Sequence, residues 1–348
     1  MTIYQDLSTF SDGSGVAPFG YPGLPKGYFP AKLNLGLGDS ADTYQAEMYR
    51  GFFRSPQPGG IYEPNTLWRV YNIQNTFPTI IAGGTFVGSF PKSTTWARMH
   101  DCYGLTIQDT TNQPITIKHM RMHNLGDGIN VFKNVLGTVT VDRCHFSAMR
   151  DDCIQNDFGN PMTISNNLVD GCFIFYSSRP YVQGLPDKSG TTVTINNNLV
   201  YLRDMPTTFV GNTPGHGRFF KMDSNATGFI DPKLTLTNNT FRVDTPHVCC
   251  GNFMLPPASR TVTVSGNTIL WGGQDEFGDF PYPVPTGWTL VTVKATVEST
   301  WNAAVAAWKA DSTNNAWDGP NGSQLDPQNF GPIKSSHSAN FNGEYPVF

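Results

Sequence analysis

Asp127 and the run Arg150-Asp151-Asp152-Cys153-Ile154-Gln155-Asn156-Asp157 put four acidic residues into one short part of the chain. Two carboxylates brought close repel each other, so one keeps its proton while the other stays ionised, the pairing that general acid/base catalysis uses. Asp127 stands eleven residues after Thr116 and Asp151 eleven after Thr140, each threonine opening a short strand-like segment. With those segments in register at a strand spacing of about 4.8 Å, Asp127 stacks on Asp151. Asp152 adds a third carboxyl, although adjacent strand residues face opposite ways unless a bend lies between them. A separation of roughly 6.5–9.5 Å between two of the three would suit glycoside hydrolysis with inversion. The same set with Asp157 offers the hard oxygen ligands that Ca²⁺ takes, so calcium at Asp127, Asp151, Asp152 and Asp157 is an open alternative.

Stacking of this kind needs coils of chain that lie one on another, and an internal repeat supplies them. Segments 116–122, 140–146, 163–169, 194–200, 235–241 and 263–269 align without gaps, with leading threonines 24, 23, 31, 41 and 28 residues apart. The second position (Ile117, Val141, Ile164, Ile195, Leu236, Val264) and the seventh (Met122, Phe146, Val169, Val200, Phe241, Ile269) are apolar and face a core. The fifth holds Asn167, Asn198, Asn239 and Asn267, where asparagine tolerates a tight left-handed bend and its amide can bond the same amide one coil away. Two strand-and-bend units per period predict an all-β, right-handed parallel β-helix. The expected division is an irregular wrap over 1–66 with a short helix near Tyr44–Phe52, coils over 67–294, and a capping helix and tail over 295–348. That helix reads from Trp301, Val305 and Trp308, with Ser299 or Thr300 as its cap.

Charged residues make up 14% of the chain against a typical value of about 25%, and the net charge is −4 with scattered Lys and Arg. No basic footprint for nucleic acid is present. No charged start followed by an apolar stretch opens residues 1–30, and no apolar run approaches the roughly 20 residues of a membrane span. The expected location is extracellular, as a secreted protein, or virion-associated. The six cysteines lack metal-finger spacing and read as buried thiols, with a bridge, including a vicinal one at Cys249 and Cys250, as the alternative.

Asp127-Gly128-Ile129 followed by Asp151-Asp152-Cys153-Ile154 resembles the polygalacturonase family of glycoside hydrolases. The resemblance implies that Asp151 is the general acid and that Asp127 and Asp152 hold the attacking water. That family's Gly-His-Gly and Arg-x-Lys motifs have no counterpart at the expected spacing, although 215–221 contains similar pieces farther on. Arg150-Asp151-Asp152 with Asn156-Asp157, Ser178-Arg179-Pro180 and Gly215–Lys221 also resembles bacterial right-handed β-helix repeat proteins of the pectate-lyase-like superfamily, which supports the fold.

Longer loops at about 176–192, 204–232 and 271–287 are where binding groups are expected on a rigid coil stack. Arg150, Asn156, Asp157, Arg179, His216, Arg218 and Lys221 are the candidate substrate contacts. Arg179 would bind a sugar carboxylate, act as base in β-elimination, or pair with Asp152 or Asp157. Trp271, Tyr282 and Trp288 are either a sugar-stacking platform or packed aromatics. His119, His123 and His145 read as structural or surface residues rather than metal ligands. The function expected is cleavage of glycosidic bonds in an extended, acidic polysaccharide. A lyase with an Arg or Lys base and calcium is one alternative. A non-enzymatic virion spike, decoration or adhesion protein, with a homotrimer as one assembly, is the other.

Overall fold

The computed structural model describes residues 3–6, 68–73, 79–82, 85–87, 93–100, 102–107, 114–131, 137–179, 187–222, 230–246, 255–256 and 261–315. The expected helix near Tyr44–Phe52, the pair Cys249 and Cys250, and the tail beyond 315 lie outside them. Parallel strands stacked in chain order make two sheets around one core, a parallel β-helix. The eight-stranded sheet runs Ile3–Asp6, Thr79–Ala82, Ile115–Lys118, Val139–Asp142, Met162–Ser165, Thr192–Asn196, Lys233–Thr237 and Thr261–Ser265. The six threonines of the repeat pair in succession along it. The N-terminal stretch thus contributes at least one strand to the sheet.

The other sheet folds around a corner. The first half of His145–Gln155 pairs with Arg121–His123 and its second half with Asp127–Val131. Leu168–Ser177 likewise pairs with Leu199–Leu202 and then with Phe220–Lys221. Asn124, Ala148 and Gly171 turn this corner with φ of 54°, 50° and 108°. Left-handed backbone at Ala148, a residue with a Cβ, is a constrained position.

The apolar columns behave as their spacing predicts. Ile117, Val141, Ile164, Ile195 and Leu236 are buried, as are Met122, Phe146, Val169, Val200, Phe241 and Ile269, with Val264 packed at their margin. The fifth-position asparagines form a ladder. The side-chain amide of Asn167 donates to Asn198 Oδ1 at 2.9 Å, that of Asn198 to Asn239 Oδ1 at 2.9 Å and that of Asn239 to Asn267 Oδ1 at 2.9 Å. Each also donates to a carbonyl of a neighbouring coil, Val141, Ile164 and Ile195 in turn. The left-handed turn falls one residue earlier than expected, at His119, Arg143, Asn166, Asn197, Asn238 and Gly266.

The C-terminal helix spans Lys294–Ala310, a turn longer at its start than the Ser299 or Thr300 cap implies, with Val293 at the N-cap. It packs Val297, Trp301 and Trp308 against Leu168, Tyr201 and Leu270 on the outer face, so it runs along the side of the stack. The Trp308 indole donates to Asn166 O at 2.7 Å, and His145 meets its ring edge-on. His119 meets Asn314 O. Trp271, Trp288 and Phe280 belong to the core, with Tyr282 packed on it, so of the two readings of these rings the structure favours packed aromatics. Cys102, Cys144, Cys153 and Cys172 are buried free thiols, as their flanking residues suggest.

The ladder predicts a sharp contrast between neighbours. Asn198→Ala strands buried partners on both sides and should destabilise by about 2 kcal/mol or more in urea unfolding. Asn197→Gly, at an exposed left-handed position, should stay within roughly 0.5 kcal/mol of wild type.

Candidate active site

The aspartates meet at the corner through a break in the repeat. His123 pairs with Ser147, but Ile129 pairs with Ile154, so the later strand holds one extra residue. The following coil shows the same irregularity between Met149 and Asp152. The Asp151 backbone N–H still donates to Gly126 O at 3.1 Å, so Asp127 lies level with Asp151 as the equal offset predicts, and the extra residue falls between Asp151 and Ile154. A bulge of this kind re-aims side chains. Asp151 and Asp152 consequently converge with Asp127, an oxygen of each lying within 4.8 Å of the others.

All three carboxyls are buried, and each has its own partners. Asp127 Oδ1 accepts the Asp152 backbone N–H at 3.1 Å and Oδ2 accepts the Asn130 amide at 3.1 Å. His100 Nδ1 donates to Asp151 Oδ2 at 2.5 Å. The Lys221 ammonium donates to both oxygens of Asp152, at 2.9 and 3.2 Å.

The partners push the protons apart. Burial, then the charges of Asp151 and Asp152, raise the Asp127 pKa well above the carboxylate range. Burial also raises Asp152, only partly offset by Lys221. Burial would raise Asp151 too, but the charge and hydrogen bond of His100 outweigh it, with Lys221 and Trp96 adding to them, and its pKa falls below the ordinary value. His100 itself is desolvated, yet Asp151 takes it up to about 9. Lys221, likewise desolvated, is raised by Asp152 and then Asp151. Asp151 is thus the carboxylate held ionised and Asp127 the one that most readily keeps a proton.

Two outer segments cover the corner. The short helix Trp96–Met99 ends at His100, and the loop 205–215 closes on itself through an antiparallel bridge between Met205 and Gly215. Asn212 Oδ1 accepts the Trp96 backbone N–H at 2.9 Å. Below them Arg150, fully buried, donates to Thr94 O at 2.7 Å and to Thr207 Oγ1 at 3.2 Å. The His100 side chain is 41% exposed, so it links the buried cluster to solvent.

Residues 97–269 match the family model described as a right handed beta helix region. This part of the chain is a right-handed β-helix region. No curated protein and no solved structure matches the chain.

Within this β-helix the candidate sugar contacts disperse. Lys221 joins the cluster, as Asp152's ion-pair partner. Asn156 is consumed in its own turn, bonding Asn160 and the Tyr176 hydroxyl. Asp157 accepts the backbone N–H of Arg179 at 2.8 Å and the Gln155 amide at 2.7 Å, and burial raises its pKa to about 6. The expected level of Arg179 with Asn156 shifts by one residue because of the irregularity between Met149 and Asp152. The buried His216 has Nδ1 at 2.8 Å from Gly217 O and Nε2 at 2.9 Å from Thr245 O, and is withdrawn as a sugar contact. Arg218 is buried, and Arg150 holds the cover in place, so neither presents a surface for sugar. His100 escaped the sequence reading because it precedes the first aligned segment, 51 positions from its partner.

Asp127, Asp151 and Asp152 are also the donors a cation would use. Asp157 stands apart from them on its own partners. A retained proton on Asp127, His100 and Lys221 already balance the cluster, so Ca²⁺ would have to displace two bound cationic side chains.

Removing Lys221 leaves a buried carboxylate unpaired. Lys221→Met should destabilise by about 3–5 kcal/mol, and Asp152→Asn in the same chain should recover most of it in a double-mutant cycle by urea unfolding. The His100 pKa, about 9 when folded against 6.5 ordinarily, predicts stability present in full below about pH 6.5 and lost as pH rises through about 9. Thermal melts across that range should show the fall, and Asp151→Asn should flatten it.

Proposed function

We propose that this β-helix hydrolyses glycosidic bonds of an extended, acidic glycan lying along the side of its coils. A right-handed β-helix is compatible with polysaccharide processing and with spike proteins. The observation favouring hydrolysis is the set of Asp127, Asp151 and His100: a carboxyl that keeps its proton, a carboxylate held ionised beside it, and a partly exposed imidazolium bonded to the latter. Hydrolysis needs one group to protonate the leaving oxygen and another to take a proton from water.

One oxygen of each carboxyl lies within 4.8 Å of one on each of the others, and the backbone N–H of Asp152 donates to Asp127, so the three carboxyls form a single cluster. The aspartates therefore act as one unit on one side of the bond. His100 gives its proton to the leaving oxygen, and the cluster takes up the proton that water loses. The acid role that the polygalacturonase resemblance assigns to Asp151 passes to His100, with Asp151 orienting it. Elimination is less well supported, because His100 and Lys221 both hold protons and a lyase needs a free base.

Burial of all three carboxyls supports a second, non-enzymatic reading, in which the coils are the stem of a spike or adhesion protein outside the cell or on a virion. A panel of acidic and neutral polysaccharides, with and without Ca²⁺ or EDTA, separates these readings. New reducing ends without ultraviolet-absorbing unsaturated ends, insensitive to EDTA, are expected. His100→Asn and Asp151→Asn should each lower the rate by about 10²–10⁴-fold, the usual range for an acid/base group. Unsaturated ends would mean elimination, and no cleavage across the panel would favour the stem.

A further inference from the structure

Among the described residues, Phe209 and Val210 belong to a small set of large apolar side chains left in solvent, 61% and 46% exposed. They stand at the tip of the loop 205–215. That loop is a built structure, closed by the Met205–Gly215 bridge, with Thr213 N–H donating to Val210 O at 3.3 Å and its hydroxyl to the same oxygen at 2.8 Å. The tip leans on the acid site. Phe209 meets Trp96 edge-on with ring centroids 5.2 Å apart, and Trp96 stacks on the His100 ring at 4.7 Å and 21°. His100 then bonds Asp151. One continuous path of rings joins an exposed aromatic face to the buried carboxylates.

We propose that Phe209, with Val210 beside it, is a stacking subsite for a sugar ring of the glycan, next to the ring whose bond faces His100. The inference rests on the glycan reading above and adds a specificity element that the coil repeat does not contain. The apolar C–H face of a pyranose matches an exposed aromatic ring, and the ring's hydroxyls remain in water. Contiguity with His100 argues for this occupant, since a sugar on Phe209 is adjacent to the one accessible member of the cluster. The loop tip offers the exposed ring face that Trp271 and Trp288, in the core, do not.

The test uses the full chain with oligosaccharides cut from polygalacturonate, alginate and hyaluronate, and maltohexaose as a neutral probe. Binding is measured by calorimetry, and cleavage by KM and kcat. Phe209→Ala should weaken binding and raise KM about tenfold while kcat stays within about twofold, and Phe209→Trp should restore affinity. Weakened binding without cleavage by any form keeps the subsite and sinks hydrolysis. Cleavage with an unchanged KM in Phe209→Ala keeps hydrolysis and sinks the subsite, as does a wild type that binds none of the probes. Sedimentation is the last arm: self-association lost in Phe209→Ala, with sugar binding intact, would make the patch an interface between copies and overturn the proposal.

Discussion

A coil of this protein satisfies its backbone only by lying in register on the next one. Parallel strands leave a full row of donors and acceptors at each edge, and neighbouring coils consume them. The asparagine ladder holds that register at one corner, because each Oδ1 accepts from the coil before it while each amide donates both along the ladder and to a backbone carbonyl. Every coil leaves this corner from the same starting point. Differences in coil length are therefore absorbed elsewhere, in loops and at the second corner.

The candidate site arises where that register is broken. One extra residue between Met149 and Asp152 turns two adjacent aspartates to one side, next to a third from the previous coil. Buried like charges are tolerable only with counter-charges and retained protons. Neither counter-charge comes from the repeated segments. His100 arrives from the segment before them and Lys221 from the long insertion between the fourth and fifth of them, so the repeat supplies the acid groups and the irregular chain supplies what controls them.

The same division holds for the cover. Arg150, a residue of the acidic run, points into the outer layer and ties Thr94 to Thr207, holding the His100 segment and the 205–215 loop over the corner. It holds the cover in place, with no surface open to a ligand. The exposed side of this assembly is the Phe209, Trp96 and His100 edge, where rigid coils below and a folded loop above leave a polar group and an aromatic ring side by side.

By itself the sequence determined the parallel β-helix, its apolar columns and its asparagine ladder, because a constraint imposed once per coil is written once per period. It also located the three aspartates that meet. It set Asp127 level with Asp151 but did not show that Asp152 joins them, since a one-residue bulge leaves no mark in a count of offsets. The left-handed turn was equally hidden, occupied by His119, Arg143, Asn166 or Gly266 in different coils. Only the tertiary structure decided the proton arrangement. The pKa of each carboxyl depends on burial and on charges 51 and 69 positions away in the chain, and those distances close only when separate coils and insertions pack together.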